Sequence, residues 1–187
     1  MAASKVAHEF EDYVSDEEGA DTAITADPAW AVSVVQREFH GADQGTAVHL
    51  MMEHAELDSD PAELAKLTDR PKKEHAELIA MTALLLGNDV VRKAFASEHY
   101  RELPVLGRVG DLTIDGVVDL LYRDEDGWVV ADYKTDKAAS PKKVNSYFRQ
   151  LRFYASILEK NLDAPIVRLE LLFPRETTVT VLRQDLT

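Results

Sequence analysis

The 187-residue chain contains no cysteine. Disulfides, thiolate nucleophiles, cysteine zinc sites and a cysteine-held iron–sulfur cluster are therefore excluded. No apolar run reaches the ~20 residues that a membrane-spanning helix needs. The N-terminus lacks the basic-then-apolar order of a signal peptide, so the expectation is a cytoplasmic location. A Walker-type Gly-x-x-x-x-Gly-Lys-Ser/Thr loop is also missing, so the chain carries no nucleotide-driven motor of its own. Internal repeats and linkers are absent from the body of the chain, which at this length fits one domain with a sizeable core.

What is present is unevenly distributed. Residues 1–89 hold 6 Lys+Arg against 19 Asp+Glu, which accounts for the whole net charge of −13. Residues 1–26 are acidic with few large apolar groups and read as a disordered arm. From Lys137 to Leu158 there is no acidic residue, while Lys137, Lys142, Lys143, Arg149 and Arg152 are present. Such a patch can hold a polyanion even on an acidic protein, because salt confines each field to ~10 Å. It also fits an ordinary solvated helix face.

Patterning divides residues 27–187 into a helical part, 27–96, and a strand-rich part, 97–187. Asp27-Pro28 predicts a helix start, running to about Phe39. Further helices are predicted from Gln44 to Leu57, from Asp60-Pro61, from Pro71 to Leu86 and from an Asp89 cap to Phe95. Strands follow at Glu98–Leu106, Asp111–Tyr122 and Trp128–Tyr133, then a helix from Pro141 to Lys160. Strands at Ile166–Phe173 and Thr177–Leu182 complete an α/β architecture: a mixed sheet flanked by helices.

Two of these strands carry chemistry. Gly116-Val-Val-Asp-Leu-Leu-Tyr122 and Trp128-Val-Val-Ala-Asp-Tyr-Lys134 are apolar except for Asp119, Asp132 and Lys134. Burying an unpaired charge costs several kcal/mol, so each charge needs a reason. Asp132 and Lys134 share a strand face. A hairpin centred on residues 124–127 sets Asp119 near Asp132. Two adjacent carboxylates repel, and a hard divalent cation, Mg²⁺ or Mn²⁺, relieves the repulsion. A lysine beside it suits phosphodiester hydrolysis. Asp132-x-Lys134 alone also fits a structural ion pair. Gln150 and Tyr154 lie four apart on one helix face, near Lys142, Lys143 and Arg149. His49 sits in an apolar helical stretch and fits a satisfied core residue as well as a ligand.

In order, the chain reads Gly45-Thr-x-x-His49, Glu102-x-Pro104, Gly116-x-x-Asp119-Leu120, Asp132-Tyr-Lys-Thr135 and Gln150-x-x-x-Tyr154. Over residues 30–175 this resembles the RecB-type nuclease domain of the PD-(D/E)XK superfamily. The resemblance implies a restriction-endonuclease-like core with an N-terminal helical segment. It implies His49, Asp119, Asp132 and the Tyr133 carbonyl as metal ligands, Lys134 as the catalytic lysine and Glu102 as a supporting acid. Gln150 and Tyr154 would position substrate and the active-site strand. Val118 stands where the superfamily name has proline; the aspartate is intact. Without cysteines the chain resembles the cluster-free branch found in RecB and AddA helicase–nucleases. The expected activity is Mg²⁺- or Mn²⁺-dependent DNA cleavage, as an exonuclease in DNA end processing with a helicase as partner. The alternative is a catalytically silent DNA-binding or partner-docking module on the same fold.

Overall fold

The computed structural model describes residues 44–186. The acidic arm, the helix expected from Asp27 to Phe39, His40 and Trp30 lie outside these residues.

Among the described residues, five α-helices and five strands form two helical layers around one sheet. Helix α1 spans Gln44–His54, α2 Pro61–Leu64, α3 His75–Gly87 and α4 Asp89–Ala96. Strands β1 (His99–Val109), β2 (Leu112–Arg123) and β3 (Trp128–Tyr133) follow, then α5 (Pro141–Leu158), β4 (Ile166–Arg175) and β5 (Thr178–Asp185). The sheet order is β1-β2-β3-β4-β5. Only β3 and β4 run parallel, the other neighbours being antiparallel, and α5 makes the crossover that a parallel pair needs.

Local chemistry sets the boundaries. Asp60 accepts a hydrogen bond from Ala62 N (2.8 Å) ahead of Pro61, and Ser140 accepts from Lys143 N (3.3 Å) ahead of Pro141; both pair an N-cap with proline at the first position. The cap of α4 is Asn88, not the expected Asp89: Asn88 Oδ1 accepts from Val90 N at 3.0 Å. The helix expected from Pro71 is divided into a 3₁₀ turn, Lys72–Glu74, and α3. Neither Pro71 nor Glu74 offers a side-chain cap there, so the first turn stays tight. Strand β1 reaches three residues further than expected, to a two-residue turn closed by Val109 opposite Leu112. Gly110 occupies that turn at φ +59°, a conformation that favours glycine.

The two faces of the sheet bury separate apolar sets. Leu120, Tyr122, Val129, Ala131, Tyr133 and Leu172 pack against α1–α4. Leu121, Val130, Leu169, Leu171 and Phe173 pack against Tyr147, Leu151 and Tyr154 of α5. Every residue of β3 is buried, which explains why it reads as a continuous apolar run with one charge. Among the described residues no helix is long and apolar enough to cross a membrane.

Candidate active site

The β2–β3 ladder ends at Leu120 opposite Ala131. One step further, Asp119 and Asp132 face each other where the strands part, as the hairpin register predicts. Tyr133 N donates to Asp119 Oδ2 at 2.7 Å, and Lys134 N donates to Leu172 O at 2.9 Å. The backbone of Asp132-Tyr133-Lys134 is therefore held from both neighbouring strands.

Helix α1 brings His49 to this point. Its Nε2 lies 2.8 Å from Tyr133 O. A carbonyl only accepts, so Nε2 carries the proton. That bond turns Nδ1 toward two carboxylates, Asp119 Oδ1 at 3.3 Å and Glu102 Oε1 at 3.8 Å. The ligating atoms of His49, Glu102 and Asp119 all lie within 4.8 Å of one another. Glu102 reaches inward from β1 at φ +46°, the one non-glycine with positive φ among the described residues. Asp132 stands beside this group, with Oδ2 2.7 Å from Lys134 Nζ.

The electrostatics are those of crowded carboxylates. Burial, then repulsion from Asp119, pushes the Asp132 carboxyl up from 3.8 to about 6. Burial alone would raise Asp119 as well, but the His49 charge and hydrogen bond outweigh it and hold Asp119 below the usual range. For His49 burial works downward, and Asp119 overrides it, raising the imidazole from 6.5 to about 9. Burial likewise works against the Lys134 charge, and Asp132 and Asp119 reverse that. Asp132 Oδ2 is buried without an aligned hydrogen bond despite the nearby ammonium. A buried carboxylate oxygen with only an ammonium against it, beside two further acids and an imidazole Nδ1, is a donor set that fits a divalent cation.

The family is decided by these features together with sequence comparison. The profile of the PD-(D/E)XK nuclease superfamily matches residues 26–184. This chain belongs to that superfamily. Its ordered motifs place it with the RecB-type domains. An ATP-dependent helicase/nuclease subunit from Geobacillus thermodenitrificans (strain NG80-2) is 30% identical over 160 residues, covering 67% of this chain and 13% of that protein. The like-named helicase/nuclease protein of Clostridium perfringens (strain 13 / Type A) is 24% identical over 189 residues, covering 83% and 15%. The chain thus spans only a small part of these relatives. Members of this superfamily use divalent metals, which agrees with the donor set here.

The expected substrate-binding residues divide into three groups. Gln150 and Tyr154 are 6% and 2% exposed, and Gln150 Nε2 donates to Tyr154 Oη at 3.1 Å. Tyr154 lies directly beneath Gly116, where a Cβ would come within 2.2 Å of Oη. These two side chains support β2 from below. Lys143 is paired with Asp136. Lys142 and Arg149 have no ion-pair partner among the described residues, and Lys142 is exposed.

Two residues at the site, Tyr147 and Asp136, were not singled out from the sequence. The Tyr147 ring centroid lies 4.4 Å from Lys134 Nζ, and Tyr147 Oη donates to Asp136 Oδ2 at 2.5 Å. The available signal was spacing: Tyr147 is three residues before Gln150 and seven before Tyr154, on one helix face. The other described histidines are structural. His54, His75 and His99 each bond a nearby backbone carbonyl. Trp128 is core.

Proposed function

We propose that this chain is a Mg²⁺- or Mn²⁺-dependent deoxyribonuclease that hydrolyses phosphodiester bonds from free DNA ends, acting with a helicase in DNA repair or recombination. The observation that carries the reading is the meeting of His49, Glu102, Asp119, Asp132 and Lys134 at the point where β2 and β3 part.

His49 Nδ1, Asp119 and Asp132 would hold the cation; the Tyr133 carbonyl, expected as a further ligand, instead accepts from His49 Nε2 and fixes the ring from its far side. Glu102 adds a third carboxylate from β1. A bound divalent ion supplies Lewis-acid polarisation of a phosphoryl oxygen and a more acidic water. Lys134 keeps an ammonium where negative charge builds on the phosphate. Gln150 and Tyr154 hold β2, and with it Asp119, in place. Lys142 and Arg149, at the start and middle of α5, are free to meet backbone phosphates. The helicase belongs to another chain or to another part of a longer polypeptide, as the names of the relatives suggest.

Degradation of end-labelled linear single- and double-stranded DNA tests this, with closed circular DNA, EDTA and Lys134→Ala alongside. Linear DNA is expected to be degraded, circular DNA spared, and cutting abolished by EDTA and by Lys134→Ala. Cutting that survives both controls would place the chemistry elsewhere. DNA binding in EDTA with no cutting under any condition would favour the silent binding module.

A further inference from the structure

We propose that Tyr147 and Asp136 are positioning residues that hold the Lys134 ammonium at the reacting phosphate, a role that rests on Lys134 being the catalytic lysine. Lys134 Nζ has two neighbours of consequence. One is Asp132 Oδ2 at 2.7 Å, a contact without hydrogen-bond alignment. The other is the face of Tyr147, 4.4 Å from Nζ to ring centroid. That distance is well inside the ~6 Å reach of a cation–π interaction. When Asp132 shares its charge with a cation, its pull on Lys134 weakens. The ring does not depend on that charge, so it holds Lys134 in the loaded site.

The ring is itself fixed. Tyr147 is buried in the α5 face of the core, and its hydroxyl donates to Asp136 Oδ2 at 2.5 Å. A phenol that donates to a carboxylate gains electron density in its ring, which strengthens the negative face presented to Lys134. Lys143 closes the chain of contacts on the other oxygen of Asp136. Lys143 is thereby a counter-ion of this clamp. The order Lys143–Asp136–Tyr147–Lys134 links the N-terminal turn of α5 to the end of β3.

The test joins a spectroscopic readout to kinetics. In protein labelled with ¹³C,¹⁵N-lysine, the Lys134 ε-methylene signal, assigned by its loss in Lys134→Arg, should be shifted upfield by the Tyr147 ring current. The shift should persist in Tyr147→Phe and vanish in Tyr147→Leu, with and without Mg²⁺. The kcat on linear DNA should fall roughly 30-fold in Tyr147→Leu and roughly threefold in Tyr147→Phe and Asp136→Asn. KM should stay within about twofold throughout, because the loss falls on the transition state. An unshifted Lys134 signal in the wild type overturns the proposal, as does a folded Tyr147→Leu with wild-type kcat. If Tyr147→Leu does not fold, the wild-type spectrum, Tyr147→Phe and Asp136→Asn still decide. A shifted signal in a protein that cuts no DNA upholds the clamp and removes the nuclease reading instead.

Discussion

Replacing Gly116 by alanine tests how β2 carries Asp119. The new Cβ would lie 2.2 Å from Tyr154 Oη, 2.7 Å from Cζ and 2.8 Å from Cε1. Carbon contacts settle at ~3.5–4.0 Å, so the strand and the ring must separate by about an ångström. Tyr154 has nowhere to go: it is 2% exposed, bonded to Gln150 and to the Val117 backbone, and packed among α5 core residues. If the strand yields, the strain of overpacking costs ~1–3 kcal/mol. If Tyr154 yields, Gln150 is left with an unmet buried donor, a further ~1–3 kcal/mol. The expectation is a loss of ~2–4 kcal/mol, or ~5–12 °C in Tm for a chain of this size. Denaturant unfolding and calorimetry measure it. Tyr154→Phe removes the nearest atom, so the double variant should be ~1 kcal/mol less destabilised than the sum of the singles. Nuclease activity of Gly116→Ala should fall more than stability accounts for, because Asp119 lies three residues along the displaced strand. A Gly116→Ala protein within ~0.5 kcal/mol of wild type, or strictly additive variants, would refute the tight fit.

Further outcomes follow from the same geometry. Without metal, the raised His49 pKa stabilises the fold below pH 6.5, and this contribution is lost as pH rises through about 9. A cation at Nδ1 must displace that proton, so Mn²⁺ affinity should rise ~tenfold per pH unit between about 6, where Asp132 has ionised, and about 9. Calorimetry in buffers of different ionisation enthalpy should find ~one proton released near neutral pH; pH-independent affinity would remove Nδ1 from the ligand set. On β4, Glu170 is fully buried and accepts from Tyr122 Oη (3.0 Å), Arg168 Nε (3.0 Å) and Arg183 Nε (2.9 Å). Glu170→Ala should cost ~3–5 kcal/mol in denaturant unfolding, and Arg183→Ala, whose side chain is 53% exposed, no more than ~1 kcal/mol. Equal costs would mean the pairing is not what matters there. Lys142→Ala and Arg149→Ala should each lower the salt dependence of single-strand binding by ~0.7 in log–log slope; an unchanged slope would take α5 away from the DNA.

Much of this was legible in the chain because it is local. Short apolar runs between turn residues mark β2 and β3, Asp60-Pro61 marks where α2 begins, and Pro141 marks where α5 begins. The short turn after Arg123 sets the register, so Asp119 opposite Asp132 follows from counting. The order of five short motifs is enough to name the family. What the sequence left open lies across longer separations. His49 and Tyr133 are 84 residues apart, and only the packing of α1 on the sheet decides that Nε2 meets the Tyr133 carbonyl and Nδ1 meets Glu102 and Asp119. The same holds for Gln150 and Tyr154, whose spacing shows a shared face but not that the face is buried beneath Gly116. It holds for Lys143, which reads as a free cation until the fold sets Asp136 against it, and for Tyr147, an unremarked aromatic until β3 ends over its ring. Periodicity and turn length are properties of neighbouring residues, and the sequence by itself determines them. Which nitrogen of an imidazole, or which face of a helix, meets a given strand depends on how the layers pack, and only the tertiary structure decides that.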